Sequence, residues 1–353
     1  MKTKKIKILC GVGISVIVLA IAGWLFFRLH LSWDSFANNL PAYTWDAESG
    51  TATVEVMGFL EMVFHADEPV VYINSVRVPM RDGIRIRGGR PYLNMRDAGV
   101  FDFMNVLDEA NPTQVGLIIN GLYGQGTPEQ NTMIHDLMGG ELARDRFEVY
   151  FQWYNTIHEL GHLITVYHGT AESRHMVEEE MLVNAFTVAF WMEHGEAWRL
   201  DALEEAVDYA LSNITPPVDN MSHLDFMRQV VDEGRMQEVF TFEIYGWFQF
   251  SMVQDLLRRR DTLDLTALLA EMVGGHVTPQ PPRTLMYETL GTDMAPVIVA
   301  DVMDVLRGWG VSFPGVYMAF STDPNEHALM YPFTRTLLEA GIADGRVVPV
   351  VQR

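Results

Sequence analysis

The stretch Thr156-Ile157-His158-Glu159-Leu160-Gly161-His162-Leu163-Ile164 sets two histidines four residues apart around a glutamate, an H-E-x-x-H pattern. Positions four apart share one face of an α-helix, so His158 and His162 can reach one metal ion together. Glu159 falls about 60° round the helix from His162, at roughly 100° per residue. From there its carboxylate can meet a water beside such an ion without ligating it. Phe147, Phe151, Tyr154, His158, Gly161, His162 and Thr165 keep the same helical spacing, and His168-Gly169 supplies a stop. The histidines therefore continue a core-facing stripe. Polar groups there carry a desolvation cost unless something satisfies them. Two core histidines bonded to backbone would be the plain alternative; a metal ion accounts for the glutamate as well.

At 353 residues with 48% hydrophobic content, the chain is long enough for two domains with real cores. Its formal net charge is −21, yet Lys2, Lys4, Lys5 and Lys7 crowd the first seven residues and every later cation is arginine. The remainder is more acidic still, which argues against nucleic acid or anionic lipid as a partner. Cys10 is the single cysteine, so the folded part has no disulfide framework, thiolate metal site or thiol nucleophile.

Residues 1–30 read as a targeting segment. The lysines precede an almost wholly apolar run from Ile8 to Leu29, about the length that spans a bilayer. The positive-inside rule keeps the lysines cytoplasmic and places the chain beyond His30 outside, giving a single-pass protein of the cell membrane. Ala20-Ile21-Ala22 offers a competing signal-peptidase site that would release a secreted protein. The apolar run continues past it through Phe27, which favours an uncleaved anchor.

Residues 31–105 carry β patterns: Thr51–Val56 alternates, Val70–Ile73 and Val76–Val78 flank an Asn-Ser turn, and Ile84–Arg87 leads into Gly88-Gly89. Trp45-Asp46-Ala47-Glu48-Ser49-Gly50-Thr51, Tyr72–Val76 and Arg90–Arg96 resemble pieces of the small β domain at the N-terminus of copper amine oxidases, although the Trp-Asp piece comes first here. That resemblance implies an accessory module without copper chemistry; a β subdomain packed on a catalytic unit is the other reading. Gly116–Gly121 reads as one short buried strand, a candidate edge for aligning an extended substrate. The Tyr123–Pro128 loop after it lacks the residues of a phosphate cradle. His135-Asp136 reads as surface chemistry.

From 141 the chain reads as helices: the H-E-x-x-H helix, Val177–Glu193, then segments near 200–212, 222–240, 242–260, 264–273, 294–307 and 324–340. The expected architecture is α+β: an N-terminal transmembrane helix (1–30), a small β domain (31–105), then a mainly α-helical domain (106–353).

A catalytic zinc takes three protein ligands and a water. Glu180 is the favoured third ligand, in an otherwise apolar segment with Asn184 one turn further on the same face. A metal satisfies the carboxylate, and a ligand histidine oriented by Asn184 satisfies the amide. Glu178 and Glu179 suit an acidic first helical turn, and Glu179 is a substitute ligand if the register differs by one. His158, Glu159, His162, Glu180 and Asn184 together resemble the gluzincin zinc metallopeptidases, over residues 150–193. His168 competes, because the spacing is one residue away from the metzincin pattern. Thr165 stands where that pattern has its helix-breaking glycine, and an unbroken helix turns His168 away.

The gluzincin resemblance implies a zinc-dependent peptidase acting on a peptide or protein substrate, with Glu159 as general base. Tyr245 and His223 are candidate oxyanion donors, read first as structural residues. A non-catalytic binding or sensing protein on the same fold is the alternative.

Overall fold

The computed structural model describes residues 43–46, 48–56, 60–65, 70–73, 75–79, 84–87, 90–93, 104–106, 114–124, 128–235, 242–320 and 348–350. The expected anchor (8–29) and the helix expected at 324–340 lie outside them. Among the described residues no helix is long and apolar enough to cross a membrane. These residues fall into two compact units, one up to residue 93 and one from residue 104. The molecule is mixed α and β.

In the first unit β1 (Tyr43–Asp46), β2 (Thr51–Val56), β3 (Leu60–His65), β4 (Val70–Ile73) and β5 (Val76–Pro79) form one antiparallel sheet in chain order. Alternation in β2 buries Val54 directly opposite Met62 of β3, while Glu55 and Glu61 face each other exposed. The Asp46 carboxylate accepts from the Glu48 amide at 2.9 Å, and Gly50 has φ 66°, which together tighten the β1–β2 turn. Ser75 takes φ 67° in the β4–β5 turn, where the sequence predicts one. Strands β6 (Ile84–Arg87) and β7 (Arg90–Leu93) form a separate hairpin.

The second unit opens with β8 (Met104–Val106) and β9 (Gln114–Asn120) and continues with α1 (Pro128–Met138) and the short α2 (Ala143–Phe147). A π-helical segment (Glu148–Tyr154) then runs into α3 (Asn155–Tyr167), which carries both histidines. Next in chain order come α4 (Met176–His194), α5 (Ala197–Asn213), α6 (His223–Asp232), α7 (Phe242–Arg258), α8 (Leu265–Val273) and α9 (Ala295–Gly308). Strand β10 (Gly315–Phe320) returns parallel to β9, and β11 (Val348–Pro349) completes a sheet of order β11-β10-β9-β8. A parallel pair needs a crossover, and here the crossover contains every described helix.

Strand β9 is paired on both sides. The pairing with β8 covers only Gln114–Gly116, while β10 lies along Val115–Asn120, so among the described residues the expected substrate-aligning edge is taken up at its start and Leu117–Asn120 pairs on the β10 side alone. The same strand sets the start of α3. Asn120 Nδ2 donates to the Phe151 carbonyl and to Thr156 Oγ1, both at 2.7 Å, and Gln152 Nε2 donates to the Gly121 carbonyl at 2.7 Å. Thr156 passes a bond on to the Gln152 carbonyl at 2.9 Å. These buried amides and hydroxyls satisfy carbonyls in the wider π turn, so the helix that reads as continuous α from spacing alone is wound differently before residue 155.

Helix α4 is buried on every side from Leu182 to Trp191, and α3, α5, α6, α7 and α8 all pack on it. Trp191 stacks on Trp153 with centroids 4.4 Å apart. Gly161 lets α3 approach α4: a Cβ there would lie 2.7 Å from Val183 Cγ1 and 3.3 Å from Phe186 Cδ1. Both neighbours are fully buried. Gly161→Val is expected to destabilise the fold by about 1–3 kcal/mol through overpacking, read as a lowered denaturant midpoint; an unchanged midpoint contradicts this close packing.

Candidate metal centre

Helices α3 and α4 bring three donor groups to one point. His158 Nε2 and His162 Nε2 lie 3.1 Å apart, and Glu180 Oε2 lies 3.3 Å from the first and 3.7 Å from the second. The two rings stand at 88° to each other, edge to face, with their Nε2 atoms converging. Tetrahedral ligands bonded to one ion at about 2.0–2.1 Å are separated by about 3.3–3.4 Å. The triangle has these dimensions, and the three side chains can hold a metal ion.

The electrostatics fit the same conclusion. Burial opposes charge on His162, but the Glu180 carboxylate, with Glu179 and Glu159, holds its pKa well above the usual imidazole value. Burial likewise opposes charge on Glu180, but His162 and His158 hold it well below the usual carboxylate value. A buried carboxylate needs such compensation to keep its negative charge, and a metal dication would supply it.

Glu180 is held from the far side by α7. Tyr245 donates to Oε1 at 3.0 Å and Gln249 Nε2 donates to Oε2 at 2.9 Å. Burial, then the Glu180 charge, push the Tyr245 phenol well up, so it stays a donor at neutral pH. Tyr245, weighed from sequence as an oxyanion donor, here bonds Glu180. His223, weighed beside it, opens α6 with its Nε2 3.8 Å from Asp255. Gln249 gave no signal of its own, although Tyr245 and Gln249, four apart in an aromatic helix, place two polar groups on one face.

Asn184 departs from expectation. Its Oδ1 accepts from Tyr154 at 2.6 Å, and its Nδ2 donates to the Glu180 carbonyl at 2.8 Å and to Gln249 Oε1 at 3.2 Å. The role assigned to it, orienting a ligand histidine, is corrected: its amide locks the helix turn and the Gln249 side chain that support Glu180. Its neighbours explain the change, because Tyr154 and Gln249 take up the amide from two sides.

Glu179 lies on the other side of His162 from Glu180, with Oε1 3.6 Å from Nδ1. Glu159 is half-buried, with Asn155 Nδ2 donating to its Oε1 at 3.4 Å, and its charge is felt at His162 and Tyr245. His168 is turned away, its Nε2 3.1 Å from the Ser312 carbonyl. His135 is exposed beside Asp136.

No family model, no curated protein and no solved structure matches this chain.

Because the surrounding carboxylates raise the His162 pKa above the usual imidazole value while an imidazole ligand must be neutral, metal uptake is expected to release protons. Titration calorimetry in buffers of different ionisation enthalpy reads this as a buffer-dependent binding heat; a buffer-independent heat contradicts it.

Proposed function

We propose that the chain is a zinc metallopeptidase, anchored in the cell membrane by its N-terminal apolar segment, with the helical unit outside the cytoplasm. The observation that carries this reading is the convergence of His158 Nε2, His162 Nε2 and Glu180 Oε2, with the half-buried Glu159 next in sequence to one of them. Two imidazoles and one carboxylate are the donor set of a hydrolytic zinc site. Bound there, zinc supplies positive charge to the scissile carbonyl and lowers the pKa of water.

The chain's own groups do the rest. Glu159 takes a proton onto its carboxylate as water attacks the carbonyl carbon, then returns it to the leaving nitrogen as the C–N bond breaks. Asn155 steadies one of its oxygens. Tyr245 and Gln249 keep Glu180 aimed at the histidines. The β unit serves as an accessory module in this reading.

Glu159→Gln tests the proposal, since it keeps the side chain's shape and removes its basicity. Both wild type and variant are expected to hold about one zinc per chain, while hydrolysis of an unselective protein substrate falls by about 10²–10⁴-fold. A variant as active as wild type overturns Glu159 as the base. Zinc held by both without any hydrolysis favours the non-catalytic scaffold.

A further inference from the structure

We infer that Glu179 is the positioning residue of His162, fixing that ring's orientation through Nδ1 and so setting the affinity of the centre for its metal. The inference rests on the metal-centre reading and deepens it. A ligand imidazole uses one nitrogen for the ion, and an acceptor on the other fixes the tautomer and raises the ring's basicity.

At His162 the two nitrogens are served from opposite sides. Nε2 faces Glu180, and Nδ1 has the Glu179 carboxylate at 3.6 Å, a separation that a small rotation of either side chain closes. At His158 no described residue plays this part, for its Nδ1 is buried without a hydrogen-bond partner among them. Asn184 is engaged with Tyr154, Gln249 and the Glu180 carbonyl. Among the described residues, Glu179 is therefore the carboxylate aligned to orient a ligand ring.

Its own position is set by groups from outside α4. Thr165, one turn beyond His162 on α3, donates to Oε1. Arg174 Nη1 donates to Oε2 at 3.1 Å. Arg174 in turn is pinned by the Glu271 carbonyl of α8 at 3.0 Å and by the Thr170 hydroxyl at 3.3 Å. The Arg174 guanidinium offsets the charge of Glu179 at 3.1 Å, which leaves the charge of Glu180 for the ion. Thr165, which continues the helix where a glycine would break it, thereby acquires a task of its own.

The test compares full-length wild type with Glu179→Gln and Glu179→Asp. Zinc dissociation constants come from chelator competition, and the ligand field comes from the visible spectrum of the cobalt(II)-substituted protein. Glu179→Gln is expected to weaken zinc by about 10–100-fold and to shift the cobalt bands, with Glu179→Asp falling between it and wild type. The spectrum matters because a merely structural carboxylate would leave it unmoved. Wild-type affinity and spectrum in a folded Glu179→Gln overturn the inference and leave the metal centre standing; a wild type that takes up no metal overturns both. Should Glu179→Gln fail to fold by circular dichroism, Thr165→Val keeps both carboxylates and removes the donor to Oε1. A several-fold loss of zinc affinity there supports the inference, and unchanged affinity overturns it.

Discussion

The helical unit depends on compensating negative charge inside an apolar interior. Glu180 is 6% exposed and sits just before the Leu182–Trp191 stretch of α4, which is buried on every side. Such a group is tolerated only where donors and cations surround it. Two imidazoles, a phenol and a carboxamide converge on its two oxygens. Remove that arrangement and α4 has no reason to carry a glutamate at this depth.

Close packing is what permits the compensation. Helix α3 approaches α4 at Gly161, between Glu159 and His162, because no side chain intervenes. Asn120 at the end of β9 and Thr156 fix where α3 begins. Thr156, which ties the helix start to Asn120 of β9, and the two histidines that meet Glu180 thus lie within two turns of one another on the same element.

Much of this was legible in the residues. Spacing alone put His158 and His162 on one face, and the isolated Glu180 in an apolar run marked the partner helix; both meet in the structure. The helices at 197–213, 242–258, 265–273 and 295–308 were visible because apolar periodicity and flanking Gly and Pro mark them. Less legible were features that depend on neighbours distant in sequence. The π winding needs Asn120, 31 residues from Phe151. Strand β10 is short and lies beside β9 only after a long crossover. Asn184 carried the right chemistry in the right register, yet its partners lie 30 and 65 residues away on either side. Glu179 reads as a dipole-complementing residue until Thr165 and Arg174 are placed around it.

The central claim is that one metal ion organises His158, His162 and Glu180. Anomalous diffraction at the zinc edge from crystals of the zinc-loaded chain tests it most directly. The account predicts one strong peak at about 2.0–2.2 Å from His158 Nε2, His162 Nε2 and Glu180 Oε2. A peak ligated elsewhere, or zinc-loaded crystals with no density between the two imidazoles and that carboxylate, would contradict it.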